Sequence, residues 1–362
     1  MKKIVFTVTN DLSFDQRMER ICSTLADNGY AVTLFGRACE NSKPLNLRNF
    51  RQKRIPCYFQ EGKLLYIEYN VKLLWKLLFV RTDIICSIDL DSILPGYIAS
   101  TIRGKTLVYD AHEYFTEMEE IVSRPAIKAI WLTLEKFVMK RIAHAYTISE
   151  GYAKLFMTNY GKSFEVIRNA PRLESSAEQY VNEQKIVQYQ GILNIGRGLE
   201  EAIKAVSSLD GFTLRIFGDG PHANYLKQMA TDYQAEDKIQ FMGMIEPEIL
   251  REKTKEAWIG LTLFSNTGLH HQQSLANRFF DYFHADIPQI AMGYSEYVSF
   301  NKQHEVALLI PELTAMALRV ALLQLEQDQD LYKRIQGNCH SAASENNWQA
   351  ESKKLIAFYD QL

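Results

Sequence analysis

The feature that most constrains this chain is an alternation of strand-like and helix-like segments that runs once to about residue 172 and then starts again. Ile4 to Thr9 (IVFTVT) is an apolar, β-branched run of the kind buried in parallel sheets. An amphipathic stretch from about Asp15 to Asp27 follows, closed by Asn28-Gly29, a pair suited to a left-handed helix end. A second strand is expected at Ala31 to Phe35, and DIICSID, TLVYDAHE, AYTIS and FEVIRNAP continue the series with helical segments between them. The polar stretch from Arg172 to about Gln184, with Ser175 and Ser176, reads as a linker. The rhythm then restarts with KIVQYQG, a helix from about Gly198, TLRIFGDGP, a helix, KIQFMG, a helix and IGLTLF. A helix around Leu275 to His284, the strand PQIAM and a helical tail complete it. Strands alternating with helices dictate parallel βαβ units with right-handed crossovers. The expected class is therefore α/β, as two doubly wound domains over 1–172 and 173–345, with a helix over about 346–362 returning to the first. In open sheets of this kind ligands gather beyond the carboxyl ends of the strands. The expected ligand site lies between the two units.

Length agrees with two domains, since 362 residues exceed one ordinary core. Charge is divided unevenly. Residues 1–172 carry 25 Lys and Arg against 18 Asp and Glu, whereas 173–362 carry 16 against 25. A basic half suits an anionic partner, although chance and solubility produce the same imbalance. Cys22, Cys39, Cys57, Cys86 and Cys339 are odd in number, with neither CxxC nor paired spacing. They read as reduced thiols, with no disulfide framework or zinc site. Met1-Lys-Lys runs directly into a strand, so no signal peptide is expected, and the apolar run Leu73 to Val80 is too short to span a bilayer. The expected compartment is the cytoplasm.

The loops after strands carry the chemistry. Gly196-Arg197-Gly198 stands at an expected helix start, where main-chain N–H groups and a guanidinium can bind a phosphate. A glycine-rich turn with a solvated arginine has the same appearance. Thr9-Asn10-Asp11 after the first strand lacks the GxGxxG of a simple NAD enzyme.

Several segments together resemble a known family. TNDLSFDQRMERI, DLDSILPG, YDAHE and ISEGYAKLF in the first half, with YQGILNIGRGLEEAI, FGDGP and SLANRFFDYFHADIPQIA in the second, are similar to the retaining glycosyltransferases of family four. The likeness runs from Lys2 to roughly Ile310 and fits a bacterial branch that builds cell-surface glycans. It implies the GT-B fold, two Rossmann-like domains facing a central cleft, with the donor on the second. The family's glycine-rich loop binds the donor diphosphate and commonly has Arg after its first Gly and Lys before its last. Here Ile192 follows Gly191, so Arg197 is the basic residue left, with Gly196 and Gly198 as its main-chain partners. A leaving diphosphate gains charge that a fixed cation stabilises, and the resemblance implies neither metal nor cofactor.

The family often carries Glu-x7-Glu, whose later Glu holds the donor ribose. NRFFDY resembles NKxFEY and puts Asp281 at that position, with Gln273 where the earlier Glu falls and Asn277 one turn before Asp281. Gln273 can hydrogen-bond a sugar but cannot act as a base. Asn277 equally suits a helix N-cap, and Asp281 a solvated helix surface. His112, in the loop after TLVYDA, corresponds to a family histidine near the transferring sugar, and Asp110 and Glu113 share its loop.

Two patterns invite other readings. Asp89-Leu-Asp91 is read as a helix cap or site lining in preference to a metal motif. His270-His271 is set aside because adjacent side chains on a strand or helix point apart. The stretches Lys72 to Phe79 and Ile127 to Arg141 are basic and aromatic, which suits either an anionic membrane face or ordinary core-facing helices.

The expected activity is retaining transfer of a hexose-type sugar from UDP- or GDP-sugar to a glycan or lipid-linked acceptor. His112 and Arg197 are the expected catalytic residues. The expected partners are that donor and acceptor, with peripheral contact at the inner membrane face and no nucleic acid. A nucleotide-sugar epimerase of the same fold, or a non-catalytic partner subunit, are the alternatives.

Overall fold

The computed structural model describes residues 1–13, 15–40, 42–174 and 184–362, so most of the expected linker, 175–183, lies outside the described residues. The chain divides into two compact units, Met1–Asn169 with Trp348–Leu362, and Ala170–Asn347.

In the first unit, β1 (Lys3–Thr7), β2 (Ala31–Ala38), β3 (Arg51–Pro56), β4 (Ile84–Ile88), β5 (Thr106–Ala111), β6 (His144–Thr147) and β7 (Glu165–Val166) form one parallel sheet. Its order is β3-β2-β1-β4-β5-β6-β7. Among the described residues six α-helices are interleaved: α1 (Gln16–Asp27), α2 (Gly62–Phe79), α3 (Asp89–Arg103), α4 (Glu119–Val122), α5 (Pro125–Met139) and α6 (Glu150–Tyr160). Local chemistry sets the ends of α1. The Asp15 carboxylate accepts the Met18 N–H at 2.9 Å, and Gly29, at φ +85°, turns the chain out of the helix.

The second unit repeats the plan. Its strands β8 (Lys185–Gln190), β9 (Phe212–Phe217), β10 (Ile239–Gly243), β11 (Ile259–Thr262), β12 (Gln289–Met292) and β13 (Ala307–Ile310) are parallel, in the order β10-β9-β8-β11-β12-β13. Its helices are α7 (Leu199–Ser207), α8 (Ala223–Asp232), α9 (Pro247–Lys255), α10 (Asn277–His284), α11 (Ser295–His304), α12 (Ala315–Gln327) and α13 (Gln329–Glu345). In both sheets the strand order reverses direction beside the first strand, between β1 and β4 and between β8 and β11. Loops leaving those neighbours face the crevice where such sheets bind ligands.

Two strands depart from the sequence reading. β3 (RQKRIP) is half cationic, so it lacks the apolar run that marks a buried strand; it is an edge strand, where charge deters unwanted pairing. β13 (ALLI) falls in the expected helical tail, a run too short for periodicity to separate strand from helix.

The chain then returns to the first unit as α14 (Trp348–Asp360). Trp348, Leu355 and Tyr359 enter a core with Phe6, Ile21 and Tyr146. The Trp348 Nε1 donates to Thr24 Oγ1 at 2.9 Å, and the Arg168 main-chain N–H donates to Glu351. All five cysteines are unpaired, with Cys22 and Cys86 fully buried. Among the described residues no helix is long and apolar enough to cross a membrane.

Candidate active site

In the second unit, the loop between β8 and α7 lies beside the loop that leaves β11. The Ser265 N–H donates to Gly196 O at 2.8 Å. Gly198 is buried at φ +70°, and a Cβ there would stand 2.6 Å from the Leu263 Cβ, so only glycine closes this approach. The FGDGP turn packs on the same loop from the other side. Gly191 donates to Phe217 O and Leu193 to Asp219 O, each at 3.0 Å, and a Cβ on Gly218 would lie 1.9 Å from Gly191 O. FGDGP therefore braces the Gly191–Gly198 loop backbone to backbone.

Arg197 is part-buried at the entrance to α7. Its Nη1 lies 3.0 Å from His271 Nε2, and its guanidinium sits 5.2 Å from the centre of the Phe264 ring. A guanidinium only donates, so Nε2 of His271 must accept and the proton must reside on Nδ1. Burial, with His270, Arg197 and Arg278 close by, keeps His271 well below the usual histidine value, and it stays neutral. Its ring stacks on Phe264 at 4.0 Å and meets the His270 ring at 4.4 Å. This corrects the expectation that the two histidines point apart. They occupy a turn, where the alternation of a strand and the angular spacing of a helix do not apply.

A second cation comes from α10. Arg278 is 7% exposed and donates to Tyr189 Oη (3.2 Å), Gln190 O (3.4 Å) and Leu263 O (3.1 Å). It lies over the rings of Tyr189 and Phe264, at 4.6 and 4.4 Å. Among the described residues no carboxylate pairs with it, and its Nε meets no acceptor. Its Nη1 would be 3.1 Å from a Cβ on Gly191. Arg278 thus brings positive charge to the start of the loop where Ile192 replaces the family's arginine. The sequence reading passed over it, although it stands inside the NRFFDY motif used to place Asp281. The signal was a cation in the family's lysine position.

Asn277 opens α10, and Asp281 lies one turn further. Asp281 Oδ2 accepts from Gln190 Nε2 at 2.9 Å, and Gln190 Oε1 accepts from Thr254 and Gln188. The carboxylate is thereby fixed at the end of β8. Gln273 lies in the turn before α10, its N–H donating to Leu269 O. Arg278 and Asp281 therefore both contact Gln190 at the end of β8, and Arg197 shares the Phe264 ring with Arg278.

In the first unit, His112 follows β5. Its main-chain N–H and that of Glu113 both donate to Asp89 Oδ1, at 2.8 and 2.9 Å. Asp89 holds φ +54° at the first residue of α3, so the helix start and the histidine loop are tied through one carboxyl. Burial, with Glu113 and Asp91 nearby, pushes Asp89 well above the usual carboxylate range. Burial also pushes Asp91 up to about 6, against the bond it accepts from Thr9 Oγ1 at 2.5 Å. That bond joins the loop leaving β1 to the first turn of α3. Asp91 therefore stands in the first turn of α3, where its carboxyl also accepts main-chain N–H groups of that turn, its own and that of Ser92.

The His112 ring is clamped. Its Nε2 lies 2.7 Å from both Arg17 Nε and Asp110 Oδ2. Nε2 accepts from Arg17 when the ring proton is on Nδ1, and donates to Asp110 when Nε2 carries the proton. Burial alone would raise Asp110, but His112 and Arg17 outweigh it and hold the carboxyl below its ordinary value. Arg17, a buried residue of α1, also donates to Ile167 O and Asp110 Oδ1 at 3.2 Å. The sequence reading gave Arg17 no role, because the partners of a helix residue in another strand's loop leave no local pattern.

Comparison with known proteins agrees with this architecture. Residues 16–174 match the family model described as glycosyltransferase family 4, and residues 172–340 the model described as glycosyl transferases group 1. No curated protein sequence matches the chain. Among solved structures, sucrose-phosphate synthase from Thermosynechococcus elongatus is 16% identical with a TM-score of 0.83, covering 100% of this chain and 99% of that one. HepE from Anabaena, solved with UDP and glucose, is 15% identical with a TM-score of 0.77 and full coverage of both chains. WaaG, a glycosyltransferase involved in lipopolysaccharide biosynthesis, is 14% identical with a TM-score of 0.72, covering 97% and 98%. At these identities the likeness is one of fold, the GT-B arrangement of two parallel sheets with interleaved helices.

Proposed function

We propose that this chain, a glycosyltransferase made of a family 4 domain followed by a group 1 domain, moves a hexose-type sugar with retention from UDP- or GDP-sugar to a glycan or lipid-linked acceptor. The observation that carries the reading is the pair of guanidiniums at the Gly191–Gly198 loop, Arg197 held by a neutral histidine and Arg278 buried without a paired carboxylate among the described residues. A nucleoside diphosphate supplies the anion that such a pair attracts. Its charge grows as the sugar bond breaks, and cations fixed before the reaction stabilise it without reorganising. Arg197 with the Gly196 and Gly198 main chain would hold the diphosphate, and Arg278 would lend charge from beneath. Asp281, with Asn277 on the same helix, would take the ribose hydroxyls, and Gln273 a sugar hydroxyl. HepE, solved in complex with UDP-glucose, offers a precedent for the donor class in this fold.

His112 would meet the sugar. Its Nε2 is engaged by Arg17 and Asp110, which leaves Nδ1 and the main-chain carbonyl for a hydroxyl or for developing positive charge. No step in this reading requires a metal or other cofactor. A cell-surface glycan is the acceptor class most in keeping with the reading, and an inner-face location would follow from it.

The test is a panel of UDP- and GDP-sugars screened by thermal shift, then mass spectrometry of products with and without acceptor. Transfer that needs acceptor supports the reading, whereas free UDP and an altered sugar without acceptor would indicate the epimerase. One observation favours a non-catalytic subunit: Gln273 occupies the position of an acid and cannot take a proton. Calorimetry showing no binding of UDP or GDP would decide for that alternative.

A further inference from the structure

Three side chains close a ring behind the histidine of the β5 loop. Arg17 donates from Nε to His112 Nε2 at 2.7 Å and from Nη2 to Asp110 Oδ1 at 3.2 Å, while Asp110 Oδ2 lies 2.7 Å from the same His112 Nε2. Arg17 Nη1 is anchored on Ile167 O at 3.2 Å, which keeps the guanidinium from turning away. Arg17 is 5% exposed and Asp110 fully buried, so water is a poor substitute for any of these bonds. A single imidazole nitrogen thus faces a cation that can only donate and a carboxylate that can only accept. It can satisfy one of them.

The other partners of each group decide which. If Nε2 carries the proton it binds Asp110, and the Arg17 Nε–H is left against another N–H, with no second acceptor among the described residues. If the proton sits on Nδ1, Nε2 accepts from Arg17, and Asp110 keeps two other donors, Arg17 Nη2 and the Tyr146 hydroxyl. The repulsion of its Oδ2 from the bare nitrogen is offset by the guanidinium bound to both. A buried charged donor without an acceptor costs more than the loss of one of three bonds to a carboxylate. The His112 ring is 16% exposed, and its Nδ1 has no partner among the described residues.

We propose that Arg17 is a positioning residue, which holds the His112 proton on Nδ1 so that the ring presents a hydrogen-bond donor, and no proton acceptor, at its open edge. Its effect on transfer rests on the reading that His112 meets the sugar, whereas the place of the proton does not. Held this way, Nδ1–H binds an oxygen lone pair of a sugar hydroxyl and cannot take a proton from an acceptor hydroxyl. Without Arg17 the contest at Nε2 ends. Asp110 then draws the proton to Nε2, and Nδ1 becomes a bare acceptor.

The experiment is nitrogen NMR of the full chain, isotope-labelled at histidine and free of ligand, at about pH 8, where a histidine of ordinary pKa is neutral. His112→Gln identifies the His112 ring among the eight histidines. The wild type should show hydrogen on Nδ1 and a bare Nε2, and Arg17→Met the reverse. Arg17→Lys should also show the reverse, because an ammonium keeps a cation beside Asp110 but cannot reach Ile167, Asp110 and His112 together. A folding defect in Arg17→Met therefore does not decide the matter. In steady-state kinetics Arg17→Lys should lower kcat by at least ~10-fold with KM little altered, as when a transition-state donor is lost. Hydrogen on Nε2 in the wild type, alone or together with Nδ1, overturns the proposal, and so does a proton that stays on Nδ1 in both Arg17 variants. A proton that moves without any change in turnover would instead remove His112 from the sugar and leave the hold of Arg17 on the proton standing.

Discussion

Arg197 Nη1 donates to His271 Nε2 across 3.0 Å, and the imidazole that accepts is stacked on the same Phe264 ring over which the guanidinium lies. A neutral histidine is an unusual partner for an arginine, because it orients the cation without cancelling its charge. Arg197→Ala is therefore expected to lower donor turnover by ~100-fold, the scale of losing a charge partner in the transition state. Steady-state kinetics with the donor identified by the thermal-shift panel measures it, and near-wild-type turnover would remove Arg197 from the chemistry.

His271→Phe keeps the stack and deletes the acceptor. Its clearest signature is in stability. Because burial holds His271 below the usual histidine value, the unfolded chain takes up a proton that the folded one refuses. This contribution to stability is fully present above about pH 6.5 and is lost as pH falls below it. Thermal melts of wild type and His271→Phe at pH 7.5 and pH 5 should differ in their dependence on pH, with the variant less sensitive to acid.

Arg278→Met should weaken UDP or GDP binding by ~10-fold or more, as a charge-assisted contact to phosphate is lost. Calorimetry against both nucleotides reads this directly. Arg278→Lys tests geometry, because a lysine retains the charge but cannot reach Tyr189, Gln190 and Leu263 together. If Lys restores binding fully, charge alone matters there.

Asp89 invites a paired test. One of its oxygens accepts the N–H groups of His112 and Glu113, and burial favours its uncharged form. Asp89→Asn retains an acceptor without the charge and should melt close to wild type. Asp89→Ala leaves two N–H groups without their acceptor and should cost about 1–3 kcal/mol in urea unfolding. Equal losses in the two variants would mean that the charge is needed.

Gly218→Ala should be among the most damaging single methyl groups in the molecule. Its Cβ would lie 1.9 Å from Gly191 O, at a φ of +130° that alanine avoids. A loss of more than about 3 kcal/mol, or failure to accumulate in soluble form, is expected. Wild-type stability would mean that the two loops part easily.

The sequence disclosed the sheets wherever a strand was an unbroken apolar run, as in IVFTVT or IGLTLF. It hid β3, whose cations suit an edge, and β13, whose four residues suit either class. Arg197, Asp281 and His112 were legible because each stands in a motif after a strand or on the following helix. Arg278 and His271 were harder to see. Their importance lies in sharing Phe264 with Arg197, and a shared ring is a relation in space that spacing along the chain does not encode. Helix α2 shows the reverse limit. Its residues were plain, but only exposure tells that Leu73 and Leu77 face the core while Trp75 and Phe79 do not.

The return of α14 to the first unit has a consequence for how the molecule is made. Trp348, Leu355 and Tyr359 reach the core around Phe6 only after Ala170–Asn347 has been synthesised. When residue 347 has been added, the chain holds every residue of the second unit while the first still lacks one side of its interior. The order of translation thus runs opposite to the order of completion, and the earliest residues to emerge wait longest for their last partners. A released chain truncated after residue 347 should hold a protease-resistant second unit and a first unit that is readily cleaved.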